Sequence, residues 1–175
     1  MTLANLRKAG GGFRMTKIWR AALACAALAF CTGQANAANV TSFNPESIVL
    51  GLQSSGYKAI LKKSDDGDPI IETSSDGNVI QIVLNDCENH KSCRTSEFVG
   101  VWDCATVIEK CKQAALEINN AESPVHVILN NGGKTALTYS YLLFDEVGIS
   151  ESLLIKNLVT FNYYNNQFNV AVSKK

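Results

Sequence analysis

The chain has 175 residues with 16 basic and 16 acidic side chains, but the charges are unevenly distributed. The first 37 residues hold five of the basic groups and no acid, so residues 38–175 carry 11 basic and 16 acidic groups, a net charge of about −5. This acidic balance is a poor match for nucleic acid or an anionic membrane surface, and the length fits one ordinary domain.

A secretory signal peptide over residues 15–37 is the first predicted element. A short basic segment precedes the apolar run Ala21–Phe30, and small residues follow at Ala35 and Ala37. The apolar run is too short to span a bilayer, which needs about 20 residues. We therefore predict export, with cleavage between Ala37 and Ala38.

The same segment predicts where the mature protein works. Residues 1–14 carry no pattern of their own, so Met15 is the expected start of the natural chain. A lipoprotein is the rival interpretation, because Cys25 and Cys31 lie in the leader, but the bulky residue before Cys31 disfavours lipoprotein processing. We expect a bacterial periplasmic or secreted protein without a stable membrane anchor.

The mature chain, residues 38–175, is predicted to form one α+β domain. Turn-forming Asp-Gly and Asn-Gly pairs separate apolar runs with strand periodicity, and other segments have apolar residues at helical spacing. Sequential hairpins predict a mainly antiparallel sheet, with at least one face covered by helices. The predicted elements in chain order are a helix from Asn44 to Gly56, strands over 57–63, 69–73, 79–84 and 96–102, a helix over 106–119, strands over 125–129 and 135–144, and a helix capped by Ser150.

Four cysteines remain after cleavage, and an even count in an exported protein predicts disulfides. The strand over 96–102 places Cys93 and Cys104 near its opposite ends, too far apart for a bridge between them. We therefore predict the local pairs Cys87–Cys93 and Cys104–Cys111.

The pair Cys104–Cys111 places a condition on the helix that follows the strand. In one unbroken helix the two Cα atoms would stand about 10 Å apart, beyond the reach of a disulfide. The helix must therefore begin after Cys104, and Thr106 with Glu109 predicts that start as a capping box.

Two clusters are alternatives with metal-binding chemistry. Cys87, His90 and Cys93 have zinc-like spacing, but exported cysteines usually oxidise. The densest acidic cluster falls in a compact turn rather than in a twelve-residue calcium loop, and it comprises Asp65, Asp66, Asp68 and Glu72. We expect an exposed hairpin tip there, and neither a metal nor a cofactor.

No catalytic arrangement is recognisable among the residues. The chain has two histidines, His90 and His126, and it lacks Gly-x-Ser-x-Gly, phosphate-binding glycine loops and His-Glu-x-x-His. His126 is expected to be an ordinary strand residue. We therefore expect that the protein is not an enzyme.

Aromatic side chains mark the expected binding surface. Phe98 and Trp102 share one face of their strand, and Tyr139 and Tyr141 share a face of another. The strand over 79–84 is apolar on both sides, which requires cover on both sides. Helices or a dimer can supply that cover; alternatively, one face receives a partner, and the four aromatic residues are then the candidate contacts.

A further set of motifs lies between Asn44 and Phe168. They are Ser55-Gly56-Tyr57-Lys58-Ala59, Asp66-Gly67-Asp68-Pro69-Ile70-Ile71, Asp76-Gly77 before a strand, Cys87 and Cys93 in a short charged loop with Phe98 beyond, and Gly148-Ile149-Ser150. Together these motifs resemble the exported branch of the YbjN-domain family, whose members are described as bacterial sensory transduction regulators. The resemblance implies a fold similar to type III secretion chaperones, a protein-binding sheet and dimerisation, and it implies no catalytic residue.

Two functions from different classes follow from these observations. The leading prediction is a non-catalytic periplasmic binding or regulatory module that recognises protein or peptide, alone or as a homodimer. The alternative is an exported inhibitor of a lysozyme or protease that inserts the disulfide-closed loop 86–94 into an active site. A broad apolar sheet face would favour the first function, and a stiff polar loop the second.

Overall fold

The computed structural model describes residues 39–144 and 146–174. Within them, three α-helices and six β-strands follow one another in the predicted order. They are α1 (Pro45–Ser54), β1 (Ala59–Lys63), β2 (Pro69–Ser75), β3 (Asn78–Asn85), β4 (Thr95–Asp103), α2 (Ile108–Asn120), β5 (His126–Asn130), β6 (Thr135–Leu143) and α3 (Glu151–Ser173). The predicted signal peptide and its cleavage site between Ala37 and Ala38 lie outside the described residues.

The strands form one antiparallel sheet in the order β1-β2-β3-β4-β6-β5. The first four strands are a simple meander. After β4 the chain crosses through α2 and returns as the β5–β6 hairpin, in which β6 pairs with β4 and β5 takes the outer edge. This arrangement confirms the predicted α+β class and the mainly antiparallel sheet.

All three helices pack against the same face of the sheet. Buried residues alternate with more exposed ones along β3 and β4, so that Ile80, Ile82 and Phe98 point toward the helices. α3 contributes to two clusters of buried side chains: Leu158 packs with α1 in the first, and Phe168 packs with α2 in the second.

The C-terminus of α1 and the N-terminus of α3 follow the predicted local chemistry, whereas the predicted N-cap of α1, Asn44, makes no capping bond through its side chain. Gly56 has a φ of +87°, and its N–H bonds the carbonyl of Gln53, while the N–H of Tyr57 bonds the carbonyl of Leu52. This pair of bonds is a Schellman motif, which needs a left-handed residue at the position of the glycine. At the start of α3 the Ser150 hydroxyl accepts the N–H of Leu153, as an N-cap does.

The start of α2 differs from the prediction. The helix begins at Ile108, its N-cap position is Val107, and no side chain caps it, so the capping box expected from Thr106 and Glu109 is wrong. The Cys104–Cys111 bond instead holds the preceding segment in a separate turn, closed by the Val107 N–H on the Cys104 carbonyl. The helix does begin after Cys104, as the bond requires.

Both predicted disulfides are present. Cys87–Cys93 closes the loop between β3 and β4, and Cys104–Cys111 ties the end of β4 to α2. Such bonds are typical of an oxidising compartment outside the cytosol. In the part of the chain that the structure describes, no helix is long and apolar enough to cross a membrane.

Candidate binding surface and disulfide loop

The face of the sheet opposite the helices is apolar and exposed, and we call it the open face. Six of its large apolar side chains are exposed, from 46 % for Ile128 to 69 % for Leu143, and the other four are Ile60, Val79, Val101 and Tyr141. Since the helices of the described residues all lie on the other side, this face has no cover within residues 39–144 and 146–174.

Strand register aligns the open face into continuous rows. Gln81, Val99, Tyr139 and His126 lie opposite one another across four neighbouring strands. A second row joins Val101, Leu137 and Ile128. Directly opposed side chains on one face of a sheet contact each other, so these rows form a joined apolar and aromatic surface.

Two tyrosines and a glutamate lie near the centre of this surface. The rings of Tyr139 and Tyr141 meet edge to face with centroids 5.6 Å apart, and His126 lies 5.7 Å from Tyr139. Glu97 lies directly opposite Tyr141, and its negative charge raises the pKa of the Tyr141 phenol. Hydrogen bonding to the same carboxylate raises the pKa further, so the phenol already has an acceptor within the sheet.

The four predicted contact residues divide between the two faces. Tyr139 and Tyr141 lie on the open face, whereas Phe98 and Trp102 lie beneath the helices, which corrects the expectation that they meet a partner. Phe98 is 1 % exposed and stacks on Phe161 with ring centroids 5.7 Å apart.

Trp102 is half-buried and makes its contacts within the molecule. Its ring lies 5.8 Å from that of Phe168, and its indole N–H donates to Asn165 Oδ1 at 3.0 Å. Strand alternation identifies which residues of β4 share a face, but both of its faces are apolar. The pattern therefore could not tell which face the helices would cover.

The exposed aliphatic residues of the open face were not assigned as contacts from the sequence. Val79 and Val101 are 61 % and 59 % exposed and belong to strands β3 and β4. The sequence feature that could have identified them is the apolar character of both sides of the strand over residues 79–84. Helices on one side of a sheet leave the apolar residues of the other side exposed.

The disulfide loop, residues 86–94, has an unusual backbone. Glu88 and Lys91 exchange N–H···O bonds of 2.7 and 3.0 Å around Asn89 and His90. Both central residues have positive φ, +51° and +60°, as a type I′ turn requires, although such turns usually contain glycine. Two further left-handed residues, Asp86 and Ser92, lie in the same loop. Strained conformations of this kind persist only where the surroundings enforce them.

Several contacts hold the disulfide loop in place. His90 Nδ1 lies 2.7 Å from Asp68 Oδ1 in the turn between β1 and β2, and the Ser42 hydroxyl donates to the Cys93 carbonyl. A Cβ on Gly67 would lie 3.2 Å from the His90 ring, and Gly67 has a φ of +92°. Glycine is therefore the residue that allows the histidine to pack on this turn.

These contacts also bear on the metal alternatives. Cys87 and Cys93 are oxidised to a disulfide, which removes two of the three zinc ligands. Asp68 contacts His90, and Glu72 pairs with Lys62 at 2.6 Å, so the acidic cluster does not converge on one point. Among the described residues, no three metal-ligating side chains form a group.

The comparisons with known proteins assign no function to either surface. No protein-family model matches the chain, and no curated protein matches its sequence. The open face and the disulfide loop are the two features of the described residues that correspond to the two functions predicted from the sequence.

Proposed function

We propose that this protein is a non-catalytic binding or regulatory module of the bacterial periplasm that recognises a protein partner on the open face of its sheet. The observation that carries the proposal is the one-sided helix cover, which leaves apolar residues of five of the six strands exposed on the other side. Monomeric proteins rarely expose large contiguous apolar patches, and those that do use them for interactions.

The composition of the open face indicates the chemistry of the partner. Tyr139 and Tyr141 provide aromatic side chains of the type that anchor interfaces, and Val101 and Leu137 surround them with aliphatic surface. Glu97 is the charged residue beside these tyrosines. A partner should therefore present a mainly apolar surface that packs against the two tyrosine rings.

Two further observations support the proposed setting. The predicted leader and the two disulfides agree with an exported, oxidised protein. The motifs that resemble the YbjN-domain family imply a regulatory role and a protein-binding sheet.

A charge placed on the open face tests this proposal. Val101→Glu should abolish capture of the partner from periplasmic extract, while the protein retains its thermal midpoint. Val159→Glu is the matched control, because Val159 on α3 is exposed to 52 %, close to the 59 % of Val101. The proposal fails if the two variants capture the same proteins, or if the purified protein turns over a substrate through one identifiable side chain. A dimer that dissociates only in Val101→Glu would identify the partner as a second copy.

The disulfide loop favours a second candidate function, an exported enzyme inhibitor. The loop is closed by Cys87–Cys93, and its exposed tip, Glu88 to Lys91, has the left-handed backbone described above. A stiff exposed loop loses little conformational entropy when it enters an active site. Inhibition of a lysozyme or protease by the native protein, lost in Cys87→Ala/Cys93→Ala, would establish this function.

A further inference from the structure

The outer edge of β1 has a hydrogen-bonding pattern that can be deduced from one proline. Pro69 of β2 lies opposite Lys63 of β1 and has no N–H to donate, so this pair is not hydrogen-bonded. The next pair outward is bonded, since the Ser64 N–H donates to the Asp68 carbonyl at 2.8 Å. Bonded and non-bonded pairs alternate along an antiparallel ladder.

This alternation sets the direction of the backbone groups in β1. Ile60 turns its N–H and C=O toward β2, whereas Ala59, Leu61 and Lys63 turn theirs outward. The Gln53 side chain donates to the Ala59 carbonyl at 3.0 Å, which agrees with that direction. Among the described residues no group outside the sheet bonds the backbone of Leu61. The second half of β1 is therefore an open strand edge.

A cleft of about 660 Å³ is lined by Leu61, Lys62 and Lys63 of this edge strand, and by Gly67 and Pro69 at the same end of β1 and β2. Phe43, just before α1, lines one side, His90 and Lys91 of the disulfide loop line another, and Leu61 belongs to the lining from β1. The volume is within the range of pockets that hold a ligand or a short segment of chain. The fixed disulfide loop thus forms one side of a site that also includes the open strand β1 and the start of α1.

The cleft is cationic although the mature chain is acidic. Lys62, Lys63 and Lys91 line it together with one carboxylate, that of Glu46, and the Asp68 carboxylate contacts the lining residue His90. Lys62 is paired with Glu72, but within the described residues Lys63 and Lys91 have no acidic partner. The site therefore favours an anionic ligand.

We propose that an extended acidic peptide binds in this cleft as a strand added to β1. Its backbone pairs with the outward N–H and C=O groups of Leu61 and Lys63, which is the geometry of β-strand addition. Carboxylates of the peptide lie beside Lys63 and Lys91, and an apolar side chain contacts Phe43. This site is separate from the open face and does not depend on the function proposed for that face.

Amide hydrogen exchange measured by NMR tests the backbone part of the proposal directly. The probe is a short synthetic peptide of alternating valine and glutamate. The Leu61 and Lys63 amides should exchange rapidly in the free protein and at least about tenfold more slowly with the peptide bound. The Ile60 amide is the internal control, because it already bonds β2 and should not change.

Charge reversal tests the side-chain part. Lys63→Glu/Lys91→Glu should weaken the peptide about tenfold or more in fluorescence titrations at low salt. Lys156→Glu, at an exposed lysine on α3, should leave the affinity unchanged. Val101→Glu on the open face should also leave it unchanged, which separates this site from the proposed partner surface.

The proposal is overturned by any of three results. The first is equal binding of the valine–glutamate peptide and of its valine–lysine counterpart. The second is binding without protection of the Leu61 amide, which would show that the edge is not used. The third is undiminished affinity for the peptide N-methylated at every residue, a probe that has no backbone N–H to donate to β1 and requires no change to the protein.

Discussion

The side-chain amide of Asn119 on α2 hydrogen-bonds both backbone groups of Val127 on β5. Its Oδ1 accepts the Val127 N–H at 2.8 Å, and its Nδ2 donates to the Val127 carbonyl at 2.9 Å. The amide thus takes the place that the backbone of a further strand would occupy. One edge of the sheet is blocked at this point, whereas the opposite edge is open at Leu61, and unpaired edges are where other chains add.

Loss of this amide should destabilise the protein and expose the β5 edge. Asn119→Ala leaves the Val127 N–H and C=O without partners, and the expected cost is about 1–3 kcal/mol of unfolding free energy. Gln113→Ala, on the exposed side of the same helix, is the control and should cost less than about 0.5 kcal/mol. Urea unfolding measures both costs. Equal stabilities of the two variants would contradict a role for Asn119 at the edge.

Trp102 and Tyr141 should respond oppositely to truncation, because they lie on opposite faces of the sheet. Trp102→Ala removes the packing on Phe168 and the bond to Asn165, at a cost of about 3 kcal/mol. Tyr141 is 59 % exposed, so Tyr141→Ala should change stability by less than about 1 kcal/mol while weakening partner capture. Thermal melts and capture assays on the same preparations distinguish these effects. A stable Trp102→Ala variant with impaired capture would reverse the assignment of the faces.

The two disulfides should contribute unequally to stability. Each closes a short loop, worth about 2–2.5 kcal/mol in the chain-entropy model. Cys104 and Cys111 are both fully buried in the second core cluster, whereas in the other pair Cys93 is fully buried and Cys87 only partly, so Cys104→Ala/Cys111→Ala loses more packing and should cost more than Cys87→Ala/Cys93→Ala. Peptide mapping without reduction should first show the two local links. Free thiols or crossed pairs in oxidised protein would be incompatible with this fold.

Glu151 should make stability depend on acid pH. Hydrogen bonds from the Ser54 and Ser55 hydroxyls, 2.6 and 2.7 Å long, lower the pKa of its carboxyl group. Folding thus favours the ionised carboxylate of Glu151. Its contribution to the free energy of unfolding is present above the ordinary carboxyl pKa and is lost as the pH falls through the lowered pKa. Glu151→Gln should therefore be less stable than the native protein at neutral pH and equal to it in acid. Glu122→Gln, at an exposed glutamate, should show no such convergence in melts across pH.

Features determined by neighbouring residues could be predicted from the sequence. Apolar periodicity and turn residues predicted the order of the elements, and the length of β4 excluded a bridge between Cys93 and Cys104. The side on which the helices pack could not be predicted, because Phe98 and Trp102 alternate with Val99 and Val101 and both pairs are apolar. The capping box at Thr106 was also predicted from neighbouring residues alone. The Cys104–Cys111 disulfide, which closes the turn before α2, instead determines where the helix starts.

Predicting the binding features from the sequence would also have required the register of the strands. The open edge at Leu61 depends on Pro69 lying opposite Lys63, which no local pattern determines. Predicting the cleft would have required the contact between His90 and Asp68, which are separated by 22 positions in the chain. The apolar residues on both sides of β3 indicated that both faces need cover, but they left open whether helices, a dimer or a partner would supply it.

The position of α3 across both core clusters has a consequence for cooperativity. Leu154, Leu158 and Phe161 pack in the cluster beneath the β1–β4 meander, and Phe168 packs in the cluster around α2 and the β5–β6 hairpin. One rigid helix therefore couples the two halves of the domain. If either cluster loses its order, α3 loses its packing there, and the same helix is needed to complete the other cluster. We expect a single calorimetric transition in the oxidised protein, with Phe168→Ala lowering its midpoint without dividing it into two.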